Sequence, residues 1–170
     1  MSILKDQIKR LSLDEFSSPT RVEASLPPET PLKLHVDGSA NPNPGIMRLG
    51  LVLHHGAEII WSSQLTLGEG TNNEAEFHAI IRGAALLKKL YAQVPDFAGL
   101  ACTIISDSRL AATAIRNSKP PRKDTLAALY EEANAALKDL PVEAQVYWQP
   151  RTRNTSADLV THNLTATAVT

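Results

Sequence analysis

The spacing of apolar residues along the chain changes several times, and each change marks an element. Leu4, Ile8 and Leu11 recur at helical spacing, which predicts a short amphipathic helix over residues 1 to about 16. A helix that short is marginal alone, so it is expected to dock on its own domain or on a partner. Residues 17–31, with Pro19, Pro27, Pro28 and Pro31, read as a linker. The period then drops to two. Leu32-Lys33-Leu34-His35-Val36 predicts a strand, and a Pro/Gly/Asn turn follows from Gly38 to Gly45. Residues 49–53 and 59–61 predict two more strands around a turn at His55-Gly56, making an antiparallel meander.

Helical spacing returns over residues 72–90. Thr71 is the expected N-cap, and Glu74 stands three residues later, as a capping box requires. Beyond it the pattern predicts a buried strand over 101–106 and a helix over 108–117 that ends before Pro120-Pro121. A helix over 124–140 is stopped by Pro141. A last strand covers 142–148, and a closing helix runs over 155 to about 166. The order βββαβααβα implies an α/β fold, a mixed sheet of antiparallel then parallel strands flanked by helices, with right-handed crossovers. Ligand sites in such sheets gather at the C-terminal ends of parallel strands. The chain divides into residues 1–31, helix and linker, and 32–170, the folded domain.

Carboxylates fall where that rule places chemistry. Asp37 ends the first strand and Asp107 ends the fourth. Glu76 shares a helical stripe with Ile80, Gly83, Leu87 and Leu90, the face that should turn inward. Asp158 lies near the start of the closing helix, four residues after its expected N-cap Asn154. Four carboxylates at one spot would repel strongly unless cations neutralise them. An oxygen-only ligand set with neither His nor Cys selects Mg2+ or Mn2+ over zinc. Two such ions can activate a water and stabilise the leaving oxygen of a phosphodiester. The helices starting near Thr71, Ser108 and Asn154 would aim their positive ends at the same region, which favours phosphate.

Each acid also has a bland reading. Asp37-Gly38 is a common turn pair, Asp107 between two serines could cap a helix, and Asp158 could complement a helix dipole. Glu76 is hardest to dismiss, because an inward carboxylate needs a partner. Glu74 is assigned to capping. A calcium loop at Asp37, Ser39 and Asn41 is rejected, since its sixth and twelfth positions hold Pro42 and Arg48.

Composition narrows the picture. The chain has 170 residues, 43% hydrophobic and 21% charged, which suits one folded domain with a short extension. With 17 basic and 18 acidic side chains the net charge is -1, so any nucleic-acid contact must come from a local patch. The single cysteine, Cys102, excludes an intrachain disulfide and reads as a small buried hydrophobe. No stretch is long and apolar enough for a membrane span, and no signal-type block opens the sequence, so a cytoplasmic protein is expected.

Taken together, four blocks resemble the ribonuclease H family, type 1, and especially its short archaeal and bacterial branch. They are Val36-Asp37-Gly38-Ser39 with Asn43-Pro44-Gly45; Thr71-Asn72-Asn73-Glu74-Ala75-Glu76; Ser106-Asp107-Ser108; and Asn154-Thr155-Ser156-Ala157-Asp158-Leu159. The resemblance covers about residues 32 to 167. It implies a five-stranded mixed sheet and cleavage of the RNA strand of RNA–DNA hybrids with two Mg2+ ions, or Mn2+ as substitute, leaving 5′-phosphate and 3′-hydroxyl ends. By position it makes Asp37, Glu76, Asp107 and Asp158 the catalytic metal ligands and Thr71 a holder of a DNA-strand phosphate. Asn43, Asn72 and Asn73 become minor-groove contacts. Glu76 and the backbone near Ser39-Ala40 become readers of the ribose 2′-hydroxyl.

The sequence departs from the family in three places. Many relatives carry a histidine in the loop before the fourth acid. Here that loop is Gln149-Pro150-Arg151-Thr152-Arg153. Arg151 or Arg153 stands in for it, or both are ordinary solvated arginines. His162, one helical turn after Asp158, either reaches the site or packs at the surface. The family's basic protrusion is reduced to Asn117-Ser118-Lys119-Pro120-Pro121-Arg122-Lys123, and the N-terminal segment lacks the aromatic and basic residues of a hybrid-binding domain. A monomer with modest, salt-sensitive affinity is expected. Two other readings keep the fold: a nuclease acting on DNA, and a degenerate domain that binds nucleic acid or protein. The Thr-Asn-Asn block argues against the first, and a full set of acids argues against the second.

Overall fold

The computed structural model of the protein describes residues 31–151. Strands β1 (Leu32–Ala40), β2 (Gly45–His55), β3 (Glu58–Gly70), β4 (Cys102–Ser106) and β5 (Ala144–Trp148) form one five-stranded sheet in the order β3-β2-β1-β4-β5. β1, β2 and β3 pair antiparallel, whereas β4 pairs parallel to β1 and β5 parallel to β4. Helices α1 (Asn72–Gln93), α2 (Arg109–Arg116) and α3 (Asp124–Lys138) flank the sheet, and a short 3-10 turn over Pro95–Phe97 leads toward β4. The expected mixed α/β architecture is the one observed. The N-terminal helix, residues 17–30 of the linker and the closing helix lie outside the described residues.

Strand register sorts the side chains. Leu34 pairs with Leu53 on β2 and with Ile104 on β4, which in turn pairs with Val146 on β5. Paired residues share a face, so one face carries an apolar row that is almost wholly buried. Each such side chain contributes roughly 1.5–3 kcal/mol when removed from water. α1 lies on this face. Its Gly83 sits directly over β1, where a β-carbon would stand 2.9 Å from Leu34 Cδ2 and 3.2 Å from Val36 Cγ1. A larger residue there would hold the helix off the strand.

Element boundaries differ from expectation in informative ways. β1 runs on through Asp37 to Ala40, because β2 continues to pair with it as far as Ala40 opposite Met47. The expected turn over 38–45 therefore shrinks to residues 41–44. β3 is 13 residues long instead of three. Its polar run Ser62-Ser63-Gln64 hides the strand from a hydrophobicity reading, but pairing with β2 carries it to Gly70. α1 extends to Gln93, closed by the Val94 N–H on the Leu90 carbonyl at 2.8 Å.

Candidate active site

Two neighbouring parallel strands bring the first two acids together. Val36 on β1 pairs with Ser106 on β4, so Asp37 and Asp107 stand one step beyond the same rung. Ser106 is fully buried, and its hydroxyl accepts the Ser108 N–H at 3.0 Å. That bond shapes the turn presenting Asp107. Ser108 then caps α2, its Oγ accepting the Ala111 N–H at 3.2 Å. Asp107 thus sits at the positive end of a helix, which favours its negative charge.

The third acid comes from α1. Thr71 Oγ1 accepts the Glu74 N–H at 3.2 Å, and Glu74 Oε2 accepts the Thr71 N–H at 2.7 Å. This is the expected capping box, and the N–H and hydroxyl of Thr71, both donating to the Glu74 carboxylate, hold it below its ordinary range. Two asparagines then tie the helix start to the β1–β2 turn. Asn72 Oδ1 accepts the Ala40 N–H at 2.7 Å, and Asn43 Oδ1 accepts the Asn72 N–H at 3.0 Å. So anchored, α1 delivers Glu76 to Asp37 on β1 and Asp107 just past β4. One carboxylate oxygen from each of Asp37, Glu76 and Asp107 lies within 4.8 Å of the others.

The three groups are almost out of water: Asp37 is 0% and Glu76 7% exposed, and the Asp107 side chain 3%. Burial, and then the charges of Asp37 and Asp107, push the Glu76 carboxyl well above its ordinary value of 4.5. Arg151, just past β5, opposes this shift, its Nε donating to Asp107 Oδ2 at 3.0 Å. Glu76 Oε2 and Asp107 Oδ1 are buried with no hydrogen-bond partner among the described residues. Buried carboxylate oxygens left in this way are costly unless a cation meets them. An all-oxygen donor set of this size fits a hard divalent cation.

The other expected site residues among those described lie on the elements that carry Asp37 and Glu76 and on the turn between β1 and β2. Ser39 and Ala40 continue β1 beyond Asp37, and Asn43 lies in the turn that follows. Thr71 is the N-cap of α1, with Asn72 and Asn73 exposed in its first turn. The Ala40 N–H is committed to the Asn72 side chain. Arg153, Asp158 and His162 lie outside the described residues. Sequence reading passed over Trp148, whose indole Nε1 donates to the Asp107 carbonyl at 3.1 Å. Its only signal in the sequence was an aromatic residue ending an edge strand.

The family model for RNase H matches residues 29–158. The chain belongs to the RNase H family. This is the family resembled by the four sequence blocks. Among solved structures, RNase H1 from the halophilic archaeon Halobacterium salinarum NRC-1 is similar at 25% identity and a TM-score of 0.66, over 78% of this chain and 95% of that one. LC11-RNase H1, isolated from compost by a metagenomic approach, shares the fold at 22% identity and a TM-score of 0.71, over 83% and 99%. A structure of LC11-RNase H1 in complex with RNA/DNA hybrid matches at 21% identity and a TM-score of 0.69, over 82% and 99%. No curated protein matches the sequence. In this RNase H chain no helix among the described residues is long and apolar enough to cross a membrane.

Proposed function

We propose that this RNase H protein cuts the RNA strand of RNA–DNA hybrids internally, leaving 5′-phosphate and 3′-hydroxyl ends. The observation that carries the reading is the buried meeting of Asp37, Glu76 and Asp107 in a chain of this family. The hybrid bound by LC11-RNase H1, a protein of the same fold, supports the substrate class. Asp37, Glu76 and Asp107, with Asp158 as the fourth acid, would hold two Mg2+ or Mn2+ ions. When bound, such ions supply a nucleophile at neutral pH and stabilise charge on the leaving oxygen.

The chain's own residues bind and orient the duplex. Thr71 caps α1, and the helix N-terminus beside it favours a DNA-strand phosphate. Lys119, Arg122 and Lys123 are exposed on the loop before α3, and the Lys123 charge acts on Glu74 at the start of α1. They form the local basic patch that a net charge of -1 requires. Asn72 spends its side-chain oxygen on Ala40 and keeps its amide N–H donors for the minor groove, where Asn43 and Asn73 join it. Glu76 and Ser39 border the place of the ribose 2′-hydroxyl, the group that separates RNA from DNA. Arg151 places a positive charge on Asp107 where relatives carry a loop histidine. Arg153 is proposed for the same edge.

Cleavage of an end-labelled hybrid with Mg2+ or Mn2+, beside EDTA, duplex-DNA, duplex-RNA and Asp107→Asn lanes, tests the reading. Metal-dependent internal cuts in the RNA of the hybrid alone, lost in the variant, are expected. Cutting of duplex DNA would overturn the substrate class, and binding without any cutting would overturn the enzyme.

A further inference from the structure

Trp148 is an unusual surface aromatic. It ends the edge strand β5, opposite Ser106 in register, and 43% of it is exposed. Yet it is not loose, because its indole N–H is held on the main-chain carbonyl of Asp107 at 3.1 Å. A large apolar ring is thus fixed at the lip of the acidic centre with part of its surface in water. Arg109, the first residue of α2, places its guanidinium carbon 5.4 Å from the ring centroid. Leu110 beside it is 42% exposed. On the other face of β5 the preceding residue, Tyr147, has its own arginine, with Arg116 4.6 Å from its ring centroid.

We infer that Trp148 and Arg109 form a docking station for unpaired nucleotides running on from the hybrid. The inference rests on the hybrid-cleaving reading of the adjacent acids. A fixed aromatic face takes any base by stacking, since every base has a π-face, and a neighbouring arginine takes the phosphate between bases. Paired bases hide their faces inside the duplex, so a stacking ring at the mouth of the site suits a single-stranded stretch. Arg151, paired with Asp107, adds a second positive charge beside the residue that pins the ring.

The chain has two tryptophans, and Trp61 is fully buried, so quenching of intrinsic fluorescence by a nucleic acid reports Trp148. The full chain in EDTA is titrated with a blunt RNA–DNA hybrid. The same hybrid extended by a short unpaired run at each strand end in turn, RNA or DNA, provides the other arms. One extension is expected to quench the fluorescence and to tighten binding about tenfold, the size of a single base–aromatic stack. Trp148→Ala should lose both effects, and Trp148→Phe should keep most of the tightening. Arg109→Ala should keep part of it with a shallower salt dependence.

Equal affinity for blunt and extended hybrids with no quenching in any arm overturns the station. Tightening by an extension that persists in Trp148→Ala does the same. A metal-containing arm shows separately whether the blunt hybrid is cut. Its failure counts against the hybrid-cleaving reading, while quenching by an extension still decides what Trp148 binds.

Discussion

The main chain of Gly38 lies against the carbonyl of Ala75 so closely that a β-carbon at position 38 would stand 2.2 Å from that oxygen. This contact sets the distance between β1 and the first turn of α1, and with it the distance from Asp37 to Glu76. Gly38→Ala is expected to push the two elements apart, at a cost of about 1–3 kcal/mol. Denaturant unfolding should show the loss of stability. Hybrid cleavage should fall by more than the unfolded fraction explains, because the two acids separate. Unchanged activity per folded molecule would show that the acids tolerate the displacement.

Glu76 couples the site to pH. Its carboxyl is raised above 4.5 by burial and by two neighbouring acids, so the folded chain holds this proton longer than the unfolded chain. Stability in EDTA should therefore fall as pH rises through and beyond 4.5, until the folded carboxyl ionises. Glu76→Gln should flatten that slope and raise the melting temperature in EDTA. It should also shrink the stabilisation given by Mg2+ or Mn2+. Loss of even an outer partner of a metal ligand commonly costs 10–100-fold, so Glu76→Gln and Asp107→Asn should each lower cleavage at least about a hundredfold. Calorimetric melting with and without metal, beside a cleavage assay, checks both halves.

His54 acts in the opposite sense. It is half-buried, with its ring edge-on to that of His35 at 4.8 Å. Burial, and then the charges of His35 and Lys33, lower it from 6.5 to about 4. Between those values the unfolded chain holds more protons, so stability is full above 6.5 and is lost as pH falls toward 4. Discounted for solvent screening, the loss is about 1–2 kcal/mol. His54→Gln should remove this acid-side slope in urea melts and leave the Glu76 slope in place.

Thr71 ties local stability to the proposed phosphate contact. Thr71→Ala removes the side-chain half of the capping box and should cost about 1 kcal/mol. Thr71→Ser keeps the hydroxyl and should recover most of it. If Thr71 also meets a phosphate, hybrid affinity in EDTA should drop in the alanine variant beyond what unfolding accounts for, and serine should restore it. A stability loss with unchanged affinity would confine Thr71 to capping.

How much the sequence revealed depended on how local the physics was. The capping box was legible because Thr71 and Glu74 are three residues apart and bond each other. The inward turn of Glu76 was legible because its stripe of Ile80, Gly83, Leu87 and Leu90 follows helical geometry, and all of them are buried. Asp37 and Asp107 could be suspected from their places at the expected ends of two strands. The length of β3 could not be read, because Ser62-Ser63-Gln64 carries no apolar signal and only backbone pairing with β2 holds it in a strand. The extension of β1 to Ala40 was hidden for the same reason.

The sequence by itself thus determined the element order, the helix start at Thr71 and the acids that chemistry could use. Tertiary structure alone decided that Asp37, Glu76 and Asp107 share one spot, because parallel register and the Gly38–Ala75 contact join residues far apart in the chain. It also decided that Arg151 pairs with Asp107 and that Trp148 is pinned to that residue's carbonyl. Periodicity records which way a side chain points along its own element. The distance between elements comes from packing, which no single segment of the chain contains.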